Sequence, residues 1–402
     1  MNTRITDCRR FVFAGTIVVF LQAVALAQPP VTDTHAALPP KLLSDARRAV
    51  NRGLAYLRAA QDRDGGWTTA RYGPAVTALV AQAFANDATY GPKHPIVERA
   101  LARILQYEQN DGGIYDQRQN LANYQTSVVL SFLATLRDAD QTQRVARAQR
   151  FLTRLQYGAD DSMDSSNVWY GGSGYNSKKR PDLSNTQMML EALHASGLSK
   201  DDPVYQRALT FISRSQMNEA TNDQPFAKGS ADGGFIYTPG DGGESKANPM
   251  IELVKSQPIS YGSMTYSGFK SMLYANVSRE DPRIESCLRW IRRNYTLDVN
   301  PGLRGRSAQE GLYYYYHVFA RALYAWGEPI VVDDNGVSHN WRVDLCGKIV
   351  SLQNRDGSWV NERTRWLEGD ENYVTALAIL SLQTAMQADS DSARASRPAG
   401  TN

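Results

Sequence analysis

Three groups of side chains carry whatever chemistry this sequence can perform. The first lies in Pro181-Asp182-Leu183-Ser184-Asn185-Thr186-Gln187. An aspartate such as Asp182 serves as an acid or base when its surroundings tune its pKa. It serves equally well as a helix cap, accepting free backbone N–H groups. The second is His317, with Arg321 one helical turn later. That pair suits a base or an anion-binding site, and the plainer alternative is a satisfied core or rim histidine. The third is a set of tyrosines. The chain has 21 Tyr against 11 Phe. Tyr124, Tyr261, Tyr266, Tyr314 and Tyr373 all fall near the starts of apolar segments. Each ring fills space and each hydroxyl seeks a partner, so together with Asn185 and Gln187 they are candidates to line a binding cavity.

Those residues need elements to hold them, and an internal repeat supplies the elements. A helix ends at Gln61, the turn Asp62-Arg63-Asp64-Gly65-Gly66-Trp67 follows, and a second helix spans Pro74 to Phe84. The unit recurs at Gln109 to Ile114 with Tyr124 to Leu136, and at Gln156 and Trp169 to Gly172 with Ser184 to Leu193. It recurs again at Gln216 and Asp232 to Phe235 with Tyr261 to Tyr274. An eroded copy has Asn294-Tyr295 and Pro301-Gly302 before Leu312 to Tyr324, and a clean one has Gln353 to Trp359 before Tyr373 to Leu382. Glycine permits the left-handed geometry of such turns and Asp bonds its own backbone there. First helices carry one apolar stripe, while second helices such as Pro74 to Phe84 are apolar nearly all round and must be enclosed. Six outer and six inner helices predict an all-α (α/α)6 toroid over residues 41–387. An open solenoid is the alternative.

The pattern Gln-x-x-Asp-Gly-x-Trp, intact at Gln61–Trp67 and Gln353–Trp359, resembles the repeat of squalene–hopene cyclases and other class II terpenoid cyclases. The resemblance implies the barrel that the β subunits of protein prenyltransferases share. Class II cyclases start from an Asp-x-Asp-Asp-Thr segment whose middle Asp donates the proton. Here Asp182 and Thr186 match that segment, but Ser184 and Asn185 replace the second and third aspartates. A serine hydroxyl cannot protonate an alkene. The prenyltransferase zinc site is not matched either: Asp344-Leu345-Cys346 falls on the sixth outer helix, with no histidine after it. The thioester motif of the complement relatives of this barrel is missing at Cys346-Gly347-Lys348.

Composition narrows the classes further. A balance of +3 does not suit a nucleic-acid binder, and 3 Cys exclude both a disulfide scaffold and a four-cysteine zinc site. Neither a cofactor nor a metal is expected. Residues 1–27 read as an export signal, with Arg4, Arg9 and Arg10 before the apolar run Phe11 to Ala27 and a small-residue site at Ala25-Leu26-Ala27. An uncleaved anchor is the alternative, and the sole expected membrane contact. A linker over 28–40 and a tail over 388–402 flank the barrel. Cys287 and Cys346 sit at apolar helical positions and read as buried thiols. The glycine-rich stretch from Asn218 to Ser260 is placed to act as a lid.

The expected function is therefore an exported protein, periplasmic or secreted, that binds a small or polymeric ligand in a tyrosine-lined cavity without the usual cyclase acid. The ligand is elongated, either apolar or a glycan. The enzymatic alternatives are an isoprenoid cyclase or transferase using other residues, with Asp182 and His317 as catalytic candidates, and a glycan-cleaving enzyme. The second needs two carboxylates, for which Asp182, Glu310 and Glu371 are candidates.

Overall fold

The structure, a computed structural model, describes residues 37–160, 163–176, 179–247 and 257–395. The proposed export signal and most of the linker lie outside these residues, as does the end of the tail. Twelve main helices follow one another among the described residues. The odd-numbered ones are α1 (Pro40–Ala59), α3 (Pro95–Leu105), α5 (Thr142–Leu155), α7 (Pro203–Ser215), α9 (Pro282–Arg293) and α11 (Trp341–Ser351). The even-numbered ones are α2 (Pro74–Ala85), α4 (Ala122–Leu136), α6 (Leu183–Ala195), α8 (Gly262–Tyr274), α10 (Leu312–Trp326) and α12 (Glu371–Ala395).

Local chemistry starts these helices. Proline opens α1, α2, α3, α7 and α9, where its missing N–H costs nothing. The side chains of Asp202 and Asp281 cap α7 and α9. The odd helices α1, α3, α5, α7 and α9 are amphipathic, whereas in α2 every residue except Gln82 is buried. Enclosure of such a helix requires neighbours on all sides, and the packing provides them. α2 packs on α4, α4 on α6, α6 on α8, α8 on α10, α10 on α12, and α12 back on α2. The ring closes. Helix α1 seals the seam against α11 and α12. The protein is an (α/α)6 toroid, not an open solenoid.

In four of the repeats the turn glutamine bonds its unit to the next. Gln61 donates its amide to the carbonyls of Gly65 and, in the following outer helix, Ile96. Gln156 reaches Val204 and Gln216 reaches Arg283 in the same manner. Gln353 reaches Ala49 of α1 at 2.8 Å and so ties the last repeat to the first. Gly357 shows why the turn needs glycine: its φ is +98°, and a Cβ there would stand 2.6 Å from the Arg52 carbonyl oxygen. Five inner helices add a buried threonine that accepts the N–H at the end of the turn. These are Thr77, Thr126, Thr186, Thr265 and Thr375, at 2.9 to 3.0 Å. Only α10 lacks one, in the eroded repeat. There Tyr315 and Tyr316 donate their hydroxyls to the carbonyls of Thr296 and Leu297 instead.

Two details depart from the sequence expectation. Helix α12 continues to Ala395, into the stretch expected to be tail, because no proline interrupts it before Pro398. A short antiparallel hairpin, β1 (Ile330–Val332) and β2 (Ser338–Asn340), leads into α11. Cys287 and Cys346 are both buried. Among the described residues, no helix is long and apolar enough to cross a membrane.

Candidate ligand cavity and the two ends of the barrel

Because every inner helix is entered from the same turn, all six begin at one end of the barrel. At that end Asp182 is 2% exposed and caps α6, accepting from the Asn185 N–H and side-chain amide, both at 2.8 Å. Tyr237 also donates its hydroxyl to Asp182, and Tyr175 bonds both Tyr237 and Asn185. Burial pushes the Asp182 carboxyl up to about 6, although these bonds and the Arg180 charge oppose the shift. Tyr237 lies in the long glycine-rich stretch, which is anchored here: the Leu183 N–H bonds the Tyr237 carbonyl, and Thr238 bonds that of Pro181. Arg180 pairs with Asp241 and Glu244 of the same stretch. Its described part therefore lies over Asp182.

A second buried carboxyl serves α10. Glu368 accepts from the Tyr314 N–H at 2.8 Å and from the Asn361 amide at 2.5 Å, with further bonds from the Leu312 and Tyr313 N–H groups. Burial pushes it up to about 7. Nothing in its loop sequence marked this role. The Tyr314 hydroxyl bonds Ser184 and Gln187, both at 3.0 Å, which joins α10 to α6. Tyr124 and Tyr373 bond each other through their hydroxyls.

The other half of the barrel is hollow. A cavity of about 590 Å³ is walled by five of the inner helices, α2, α4, α6, α10 and α12, with α1 at one side. Its apolar wall includes Leu79, Val128, Met188 and Leu380, and its polar wall includes Ser131, Glu191, His317 and Arg321. Glu191 receives Arg321 Nε at 2.7 Å and also the ammonium of Lys270, whose side chain is 0% exposed. Burial alone would raise the Glu191 pKa, but the Lys270 and Arg321 charges hold it well below the usual carboxylate range. Burial lowers Lys270, opposed by Glu191. His317 is pushed down to about 3, chiefly by burial, and stays neutral beside this cluster. Its Nδ1 has no hydrogen-bond partner.

The residues singled out from sequence thus separate. Asp182, Asn185, Gln187, Tyr124, Tyr261, Tyr314 and Tyr373 gather at the helix starts, Tyr261 being 2% exposed. Tyr266 packs between α8 and α10, with ring centroids 5.7 Å from Tyr315 and 4.9 Å from Phe319. Of the residues proposed as catalytic or binding, His317 alone stands in the wall of the 590 Å³ cavity. Glu310 is held by Arg365 and Ser307, and Glu371 by Tyr56, so neither shares the Asp182 network. Glu191 and Lys270 were not anticipated. The available signal was a charged residue in the middle of an otherwise apolar inner helix. Asp344 accepts from the Tyr295 hydroxyl at 2.9 Å on α11. Among the described residues no three His, Cys, Asp or Glu side chains gather as metal ligands.

No protein-family model and no curated protein matches this chain. Solved structures do. The type II terpene cyclase MstE from Scytonema superposes with a TM-score of 0.54 over 86% of this chain and 99% of its own, at 13% identity. The fold is similar to that of this cyclase. A polysaccharide lyase matches with a TM-score of 0.51 at 10% identity, covering 87% of this chain and 98% of its own. A family 76 glycoside hydrolase from a bovine Bacteroides thetaiotaomicron strain gives 0.50 at 9% identity, covering 87% and 78%. One barrel thus carries terpene and glycan chemistry, and only the site can select between them.

Proposed function

We propose that this protein is an exported ligand-binding barrel that holds an elongated, largely apolar molecule in its central cavity and does not run the proton-initiated cyclisation of class II enzymes. The cavity carries the proposal. Its 590 Å³ falls within the usual range for small-molecule sites, and Leu79, Val128, Met188 and Leu380 give it an apolar stretch beside its polar groups. The terpene-cyclase-like fold, seen in MstE with its geranylgeranyl dihydroxybenzoate substrate, is compatible with an apolar chain there. Asp182 speaks against the cyclase mechanism. Protonating an alkene needs a strengthened acid, whereas burial weakens this one to about 6. Export rests on residues 1–27 and is checked by N-terminal sequencing of secreted protein.

Thermal unfolding of the mature protein with dodecanol, geranylgeraniol and manno-oligosaccharides tests the binding. Ligand at a hundred times its Kd stabilises by about 2.7 kcal/mol. The apolar probes should raise Tm with concentration, and Met188→Trp, which fills the cavity, should abolish the rise. Stabilisation by the oligosaccharides alone would select the glycan reading, and no shift with any probe would refute the cavity reading. Turnover of squalene that is lost in Asp182→Asn would refute the exclusion of cyclisation.

A further inference from the structure

We propose that the central cavity recognises its ligand by a carboxylate head group, held by Arg321 and His317 with the apolar chain running along Leu79, Val128, Met188 and Leu380. This rests on the ligand-binding reading above and adds the identity of the head. The charge balance of the buried cluster points to it. Glu191 supplies one negative charge against the two positive charges of Lys270 and Arg321, and His317 adds none. Arg47 and Asp87, which also line the cavity, carry opposite charges and add nothing to the balance. A surplus of one positive charge therefore remains in the cluster of Glu191, Lys270 and Arg321 behind the wall, and an uncompensated buried charge is costly.

The surplus is directional. Lys270 is fully enclosed and spends its ammonium on Glu191, so it offers the cavity nothing. Arg321 gives Nε to Glu191 and keeps its side chain 27% exposed in the cavity wall. A guanidinium is a planar fork with five donors, matched to the two oxygens of a carboxylate. His317 stands one helical turn before Arg321, in the same wall, with Nδ1 unpartnered. The neutral ring carries one N–H, and a ring N–H turned to the cavity donates a further bond to an anion. One surplus charge matches a singly charged head; a cation is repelled, and an alcohol leaves the charge uncompensated. The apolar wall then receives the chain.

Calorimetric titration of the mature protein with dodecanoate, dodecanol and dodecyl phosphate at pH 7.5 separates the possibilities. Dodecanoate should bind at least tenfold more tightly than dodecanol. Arg321→Gln should remove that advantage, so that dodecanoate binds no more tightly than dodecanol does to the same variant, and it keeps the Glu191–Lys270 pair balanced. Arg321→Lys, which retains the charge without the fork, should lose part of the advantage. Equal binding of dodecanoate and dodecanol to the unmodified protein would overturn the head-group assignment and leave the cavity reading standing. Binding of none of the three would overturn both. Dodecyl phosphate binding tenfold more tightly than dodecanoate would replace the carboxylate with a phosphate.

Discussion

The two ends of the inner ring use the same six helices and treat their polar groups in opposite ways. At the helix starts, hydroxyls and carboxyls face one another: Asp182 and Glu368 cap α6 and α10, and Tyr314 ties the two helices together. In the other half, charges face a space. Glu191 and Lys270 satisfy each other, but Arg321 and the imidazole of His317, whose Nδ1 has no partner, stand in the cavity wall. The first end is what polar groups do when a fold must bury them. The second leaves a ligand something to complete.

The largest test strikes the second end. Glu191→Gln leaves two buried cations without their carboxylate and should destabilise the protein by about 3–5 kcal/mol in urea unfolding. A loss below about 1 kcal/mol would mean that water already screens the cluster. The next test titrates the first end. Both carboxyls there have raised pKa values, so folding favours their protonated forms. Their contribution is full below the unfolded pKa values near 4 and is lost as pH rises through about 6 to 7. Stability should therefore fall between pH 5 and 8 by on the order of 3 kcal/mol. The double variant Asp182→Asn with Glu368→Gln should flatten that slope while its side chains still reach the caps. An unchanged slope would show that neither carboxyl titrates in that window.

Smaller effects sharpen the contrast. Tyr314→Phe removes the hydroxyl shared by Ser184 and Gln187 and should cost about 1 kcal/mol of stability. Dodecanoate affinity should not change; a tenfold loss would extend the ligand site to the helix starts. Arg47→Gln, at the solvent rim, should alter dodecanoate affinity by less than about 1 kcal/mol. A larger loss would move the anion site outward from Arg321.

How much of this was written locally along the chain differs between the two ends. The turns are short-range chemistry. Asp64, Asp111 and Asp356 each accept the N–H two residues on, and the glutamines reach only to the adjacent unit. Six such units suffice to read six repeats and a closed ring. Capping by Asp182 is local as well, spanning three residues. The hollow half depends on side chains drawn together from distant repeats: Glu191, Lys270 and Arg321 are separated by 79 and 130 positions from Glu191 outward. No local pattern joins them. Tyrosines misled for a related reason, since a ring with a hydroxyl has the same composition whether it lines a space or, like Tyr315 and Tyr316, fastens a loop.

The bond from Gln353 to Ala49 also governs how such a barrel comes apart. In a linear stack the end repeats fray first and stability scales with repeat number. Here the last unit clasps the first, so no unit is terminal and melting one exposes the flanks of two others. Unfolding should be a single cooperative event. The break in the polypeptide is then a matter of connectivity alone: a permuted chain joined across the clasp and opened between two other repeats should rebuild the same ring.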